Sequence, residues 1–323
     1  MPVLVDSYQR KIDYLRVSIT DRCNLRCVYC MPEEGIQPKP RSEILTYEEI
    51  EFFARCAVEV GISKIRLTGG EPLVRKGIVE LVRHLSQVPN LQDISLTTNG
   101  ILLQDYAHPL AEAGLKRINI GLGSLDADVY SRLTRGGDVR RALAGVTAAL
   151  NAGLDPVKIN VVVLRGLNDD LTKFAPFIYE YPIHVRFIEY MPFNQGLEDR
   201  FVPCVEMMEQ FQIFGGLNEI APPTGAGPAR YYTLKGALGT IGFISPISGH
   251  FCSRCNRLRL TADGQLRTCL FSDEEIDVRA ALRQGASAQT IVELIREALV
   301  NKPKDRISVR EASLKRRMSQ IGG

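Results

Sequence analysis

No run of about 18 apolar residues occurs in the 323-residue chain, so no segment reads as a membrane-spanning helix. The opening "MPVLVDSYQRKIDYLRVSIT" lacks the basic start and apolar core of a secretory signal, and a cytoplasmic location is the expectation. An excess of one charge sign is also missing. Forty Lys and Arg against 37 Asp and Glu leave +3, too little to mark a nucleic-acid or membrane surface by charge alone. An anionic ligand must therefore be gripped locally. Eight cysteines are too sparse for a small disulfide scaffold. Low-complexity segments are missing as well, and 45% hydrophobic with 24% charged residues argues against disorder, collagen-like repeats and coiled coil.

What is present is a repeat of β and α patterns. The length exceeds the ~100–200 residues of an average domain, which suggests one large α/β barrel or a core with an appendage. From Tyr14 to about Met191, six β-rich runs alternate with helical patterns: "YLRVSIT" (14–20), "KIRLT" (64–68), "DISLTT" (93–98), "RINIGL" (117–122), "VKINVVV" (157–163) and "HVRFIEY" (184–190). Helices are predicted from Thr46, with the capping box Thr46-Tyr47-Glu48-Glu49, to near Gly61, and over 77–88, 104–114, 138–152 and 169–180. Six units predict an incomplete (β/α)6, TIM-like barrel, since a closed one needs eight. After residue 195 the texture becomes loop-rich. The expected division is a partial barrel over 1–195 and a smaller C-terminal α+β region over 196–323 covering its open side. Helices are predicted there over 204–214, 273–283 and 288–299, with a hairpin of "YYTL" and "GTIGFI". The tail "KRRMSQIGG" has no core pattern and is expected to be mobile or folded back on the barrel.

Six cysteines fall into two triplets: Cys23, Cys27 and Cys30 directly after the first strand, and Cys252, Cys255 and Cys269 near the other end. Cys56 and Cys204 stand alone and read as packing residues. Four thiolates would close a tetrahedral zinc or iron–sulfur site, whereas three leave a position open for chemistry. No His lies near the first triplet. His250 could complete a Cys3His zinc site at the second, and that reading stays open on spacing alone.

Cys23-x3-Cys27-x2-Cys30, with Tyr29, resembles the cluster loop of radical S-adenosylmethionine enzymes. The resemblance implies a 4Fe-4S cluster on these three cysteines, its fourth iron chelated by S-adenosylmethionine, whose one-electron cleavage gives a 5′-deoxyadenosyl radical. Other segments match at the C-terminal strand ends, where barrel active sites lie. Thr68, Gly70 and Glu71 of "TGGEP" fall on the amine-binding segment, the two glycines letting backbone approach a ligand closely and Glu71 adding an acceptor. Tyr29 would offer backbone contacts and its ring to the adenine. Met191 of "EYMP" and Thr97 of "TTNG" match binding positions. In "GLGSLD", Gly121 and Gly123 stand where related sequences usually have Ser and Asp, and Ser124 is the candidate substitute contact.

"FCSRCNRLRLTADGQLRTCLF" resembles the GTP 3′,8-cyclase subgroup of that superfamily, whose members begin molybdenum cofactor biosynthesis. This implies a second 4Fe-4S cluster on Cys252, Cys255 and Cys269 whose open iron takes the guanine of GTP. Arg257 and Arg259 flank Leu258, two apart and so on one face of an extended segment. With Arg16, Arg66, Thr97 and Lys158 they form the implied substrate site. Guanidinium forks match phosphate oxygens. Arg257 is the implied assistant of the final reduction and protonation, and the C-terminal Gly322-Gly323 is expected to thread into the active site. The implied reaction takes hydrogen from ribose C3′ and joins C3′ to guanine C8, giving 3′,8-cyclo-7,8-dihydro-GTP for a downstream cyclic pyranopterin monophosphate synthase. A flavodoxin or ferredoxin-like electron donor and a monomer or homodimer are further expectations. Two rivals remain: a radical enzyme that modifies peptides, which would carry a longer C-terminal cysteine set, and a zinc-stabilised RNA-binding protein with its arginines on phosphates.

Overall fold

The computed structural model describes residues 3–192, 196–224, 227–309 and 316–322. In the first part of the chain strands and helices alternate as β1 (Tyr14–Ser18), α1 (Tyr47–Glu59), β2 (Lys64–Thr68), α2 (Ile78–Ser86), β3 (Asp93–Thr98), α3 (Leu103–Glu112), β4 (Arg117–Gly121), α4 (Ala127–Thr134), α5 (Val139–Asn151), β5 (Val157–Val163), α6 (Ala175–Glu180) and β6 (His184–Glu189). The later part carries α7 (Cys204–Glu209), β7 (Asn218–Ile220), β8 (Arg230–Thr233), β9 (Thr240–Ile244), β10 (Arg257–Leu260), β11 (Gln265–Arg267), β12 (Ile276–Asp277), α8 (Val278–Arg283), α9 (Ala288–Val300) and α10 (Met318–Ile321).

Strands β1 to β6 lie side by side in sequence order and all pair in parallel, giving the six-unit open barrel that the βα repeat predicts. The later strands extend this sheet at both edges. β9 joins β6 in parallel and carries the antiparallel β8 and β7, so the expected hairpin forms as β8 and β9. β10 joins β1 in parallel and carries β11 and β12. Among the described residues the result is one open sheet of twelve strands.

Alternation sorts each strand. Leu15, Val17, Ile65, Leu67, Ile94, Leu96, Ile118, Ile120, Ile159 and Val161 are buried in one hydrophobic core, on the face the helices cover. Their neighbours Tyr14, Arg16, Arg66, Ser95, Arg117, Asn119, Lys158 and Arg186 occupy the other, inner face. α1 starts on its capping box: Thr46 Oγ1 accepts from Glu49 N at 3.2 Å, and Glu49 Oε2 accepts from Thr46 N at 2.7 Å. Its Ile50, Phe53 and Ala57 enter the core. Cys56 and Cys204 are buried there too.

Candidate active site

The first triplet sits on the loop after β1, and several backbone ties hold that loop. The last carbonyls of α4, which a helix end leaves unpaired, accept from this loop: Thr134 O from Arg26 N at 3.2 Å and Leu133 O from Val28 N at 2.9 Å. Arg135, in the left-handed region at φ 55°, donates to Arg26 O at 2.8 Å and Met31 O at 2.9 Å. From the other side, Gly70 N donates to Thr20 O at 2.7 Å and Glu71 N to Arg22 O at 2.8 Å. A Cβ on Gly70 would stand 2.4 Å from Arg22 O, and one on Gly69 2.8 Å from Thr20 O. One close approach that these glycines permit is thus to the cysteine loop itself.

Glu71 also turns to the chain. Its carboxylate, 1% exposed, accepts from Thr98 Oγ1 at 2.6 Å, Asn99 N at 2.6 Å and Leu73 N at 3.0 Å. This ties the β2 loop to the β3 loop, a role different from the expected acceptor for a ligand amine. Burial outweighs these bonds and lifts its carboxyl to about 7. Asn99, which the sequence reading passed over, donates to Asn24 Oδ1 at 2.7 Å and lies 3.9 Å from Cys23 Sγ. Asn168 knits the next two strand ends, donating to Gly123 O at 2.8 Å and Val162 O at 2.9 Å. Gly121 has open space beside it, a Cβ there meeting only Thr98 O at 3.7 Å, whereas one on Gly123 would press on Leu133. Ser124 Oγ accepts from Asp126 N at 3.1 Å, in the turn just before α4, whose N-cap is Asp126. The Tyr29 ring packs with Leu133, Leu164 and Tyr190, and its hydroxyl bonds the Cys27 thiol. Thr68 is buried at the end of β2, and Met191 is half-buried after β6.

On the inner face the register brings cations into one row. Arg267, Arg259, Arg16 and Arg66 are direct cross-strand neighbours on β11, β10, β1 and β2. Arg267 is partnered by Glu275 and Asp273. Arg66 bonds Tyr14 and, at 3.2 Å, Thr97 Oγ1. Burial first, then Arg259, drives the Arg16 guanidinium well below its ordinary range, and burial with Arg257 lowers Arg259 to about 10. Further along the face Lys158 Nζ donates to Thr224 O at 2.8 Å. Burial, then Arg186, Arg117 and Arg66, bring it down to about 7. Burial alone would raise the Tyr14 phenol, but Arg66, Arg16 and Arg117 bring it to about 7. Arg117 and Arg186 escaped the sequence reading because a single Arg in a strand looks like a surface residue. Arg186 Nε and Asn119 Oδ1 are buried without a hydrogen-bond partner, as donors and acceptors awaiting a ligand would be. Leu258 lies in the hydrophobic core, facing away from Arg257 and Arg259, so only its backbone can face the same space.

The second triplet brackets β10. Burial pushes the Cys252 thiol up, whereas at Cys255 Lys302 and Arg257 outweigh burial and pull it down. The tail links both ends of the inner face. Ser319 lies against Cys30, and Gly322 O accepts from Arg259 Nη1 at 2.9 Å and Arg16 Nη2 at 3.4 Å. Gly322 has φ 82°, and a Cβ there would meet Ser18 and Thr68 at 3.0 and 3.1 Å. Of the two expectations for the tail, folded back describes it; Gly323 lies outside the described residues. His250 is exposed at the rim of a surface cavity of about 440 Å³ that Cys252, Tyr8 and Lys304 also line. Among the described residues no group of three or more His, Cys, Asp or Glu is gathered so as to hold a metal ion.

Two family models match the chain, Radical SAM superfamily over residues 17–176 and Molybdenum Cofactor Synthesis C over 183–307. The GTP 3′,8-cyclase of Pelotomaculum thermopropionicum is 53% identical over 98% of this chain and 99% of its own length. The chain belongs to the GTP 3′,8-cyclase family. A second family member, from Moorella thermoacetica, is 50% identical over 98% of this chain and 99% of its own. The crystal structure of Streptococcus suis SuiB bound to S-adenosylmethionine shares the fold, with a TM-score of 0.63 at 14% identity over 96% of this chain and 79% of SuiB.

Membership of the radical S-adenosylmethionine superfamily implies a 4Fe-4S cluster and S-adenosylmethionine. The first triplet fits that cluster chemically. Its thiols are unpaired; burial pushes Cys27 up to about 11, Cys23 to about 12 and Cys30 higher still. Three half-buried thiols within eight residues of one loop stay protonated unless a metal supplies the positive charge for their thiolates.

Proposed function

We infer that this chain is a radical S-adenosylmethionine enzyme that converts GTP to 3′,8-cyclo-7,8-dihydro-GTP, the first step of molybdenum cofactor biosynthesis. The observation that carries this reading is identity near 50% to GTP 3′,8-cyclases along nearly the whole chain. The row of neighbouring arginines on the inner face supports the same substrate class. Cys23, Cys27 and Cys30 would hold the first cluster and Cys252, Cys255 and Cys269 a second, each leaving one iron open. When bound, the first cluster and S-adenosylmethionine supply a carbon radical able to take hydrogen from ribose C3′.

The protein's own part is positional. Arg16, Arg66, Lys158 and Arg259 would grip the triphosphate, with Thr97 and the Leu258 backbone beside them. Tyr29, Thr68, Gly70, Gly121, Ser124 and Met191 would line the S-adenosylmethionine end, with Glu71 holding the loops that form it. Arg257 and the Gly322-Gly323 tail would close the space between the two ends, exclude water and, at Arg257, hold a proton for the final step. We further propose that residues 1–195 carry the radical-generating half and 196–323 the second cluster and GTP site. The product would pass to a cyclic pyranopterin monophosphate synthase, a flavodoxin or ferredoxin-like protein would supply electrons, and the enzyme would work in the cytoplasm as a monomer or homodimer.

Separate roles for the two triplets are tested by 5′-deoxyadenosine formation. Cys23→Ser is expected to abolish it. Cys255→Ser is expected to retain slow uncoupled cleavage while GTP consumption is lost. Equal loss of cleavage in both variants would contradict the assignment.

A further inference from the structure

Lys302 follows α9 and is 3% exposed, yet its side chain donates to two carbonyls and a thiol rather than to a carboxylate. A buried ammonium without an anion is costly. Its three N–H donors are all engaged: one lies 3.7 Å from Cys255 Sγ, one donates to Arg257 O at 3.0 Å and one to Thr268 O. Those acceptors belong to the two segments that carry the second triplet, since Arg257 follows Cys255 and Thr268 precedes Cys269. The charge is therefore spent at one place in the fold. It sits against one thiol and ties the Cys252-to-Cys255 segment to the Cys269 segment across β10 and β11.

Arg10 secures the same corner from outside. Its Nη1 donates to Cys252 O at 2.9 Å and Lys304 O at 2.8 Å, and its Nη2 to Pro303 O at 2.7 Å. Its Nε donates to Asp6 Oδ2 at 2.5 Å in a pair closed to solvent. Asp6 Oδ1 in turn accepts from Tyr8 N at 2.9 Å and Arg10 N at 3.0 Å. The N-terminal turn, Arg10 and the 302–304 segment thus form a brace behind the triplet, from which the Lys302 ammonium reaches a thiol.

We propose that Lys302 is a positioning residue for the second cluster: its ammonium holds the two ligand segments in register and, by donating to Cys255 Sγ, raises that cluster's reduction potential. This rests on the reading that the second triplet holds a cluster. Reduction adds negative charge to the cluster, so a cation bonded to one of its sulfurs stabilises the reduced form. A neutral residue at 302 shifts the potential down and weakens iron retention at this triplet alone.

The test compares the parent chain with Lys302→Gln, which keeps a donor and loses the charge, and Lys302→Arg, which keeps the charge. Iron and sulfide are counted in the reconstituted full chain. The second cluster's potential is read by an EPR-monitored titration in a background with Cys23, Cys27 and Cys30 changed to Ala. The Gln variant is expected to show a reduced-to-oxidised ratio at least tenfold lower at fixed poise, which is 59 mV for one electron, or to lose the second cluster's iron while the first keeps its own. The Arg variant is expected to stay within threefold of the parent. Independently of any variant, pulsed EPR of the reduced second cluster in parent protein grown on 15N-lysine is expected to show a 15N coupling. With two clusters present in the parent, a Gln variant equal to it in potential and iron, or no lysine coupling, would overturn the inference. A parent holding only one four-iron cluster would overturn the reading beneath it.

Discussion

Arginines on four neighbouring strands repel one another, and the fold accepts that cost on the face that carries the rest of the candidate site. Unit charges at the ~5 Å strand spacing repel by roughly 3 kcal/mol at an effective dielectric near 20. Arg267 has carboxylate partners in Glu275 and Asp273. A triphosphate would relieve the repulsion along the row, and the same reasoning gives the sign of a proton effect. Lys158 and Tyr14 stand near 7, Lys158 lowered by burial and then by neighbouring cations, Tyr14 by neighbouring cations against its burial. Both groups bind fewer protons folded than unfolded between about 7 and their ordinary values near 10. Their contribution to stability therefore rises with pH across that window and is lost as pH falls through 7. A bound polyanion raises both values. Calorimetric titration of GTP at pH 7.5 in buffers of different ionisation heat is expected to show net proton uptake on binding; buffer-independent heats or proton release would show that these groups do not face the triphosphate.

At the scale of elements, the candidate site depends on loops held by other loops. The β2 loop lies directly against the cysteine loop, and Gly70 has no room for a side chain because Arg22 O would be 2.4 Å away. Gly70→Ala is expected to part the two segments and cut the iron held by the first triplet by half or more, leaving the second triplet's iron in place, as separate iron counts in each triplet's Cys→Ala background would reveal. Unchanged iron would mean that this contact is dispensable. Much of this level was legible in the chain: the six strands, the capping box of α1 and the triplets follow from periodicity and spacing. α4 was not, because "ADVYSRLT" has few apolar residues and its start rests on Asp126 accepting from Asp128 N and Val129 N. The partner of Gly69 and Gly70 was also hidden, since a close approach is readable from glycine but what approaches is not. Lys302 gave no local signal at all, being one lysine after a helix until tertiary contacts put it on Cys255.

Over the whole molecule, the later strands lengthen the barrel sheet rather than form a second layer. β10 pairs directly with β1, so Arg259 and Arg16 are neighbours although 243 positions apart, which the register fixes. This pairing draws the second triplet to the β1 edge of the same inner face whose β1 loop bears the first. α10 then runs from Cys30 to the arginine pair, Ser319 at the one and Gly322 O at the other. The central claim, that this face brings a radical source to the ribose of GTP, is tested most directly with GTP deuterated at C3′. The reconstituted full chain is incubated without oxygen with S-adenosylmethionine and a reductant, and the 5′-deoxyadenosine is weighed by mass spectrometry. The account predicts 5′-deoxyadenosine carrying one deuterium; unlabelled 5′-deoxyadenosine formed while the labelled GTP is consumed would contradict it.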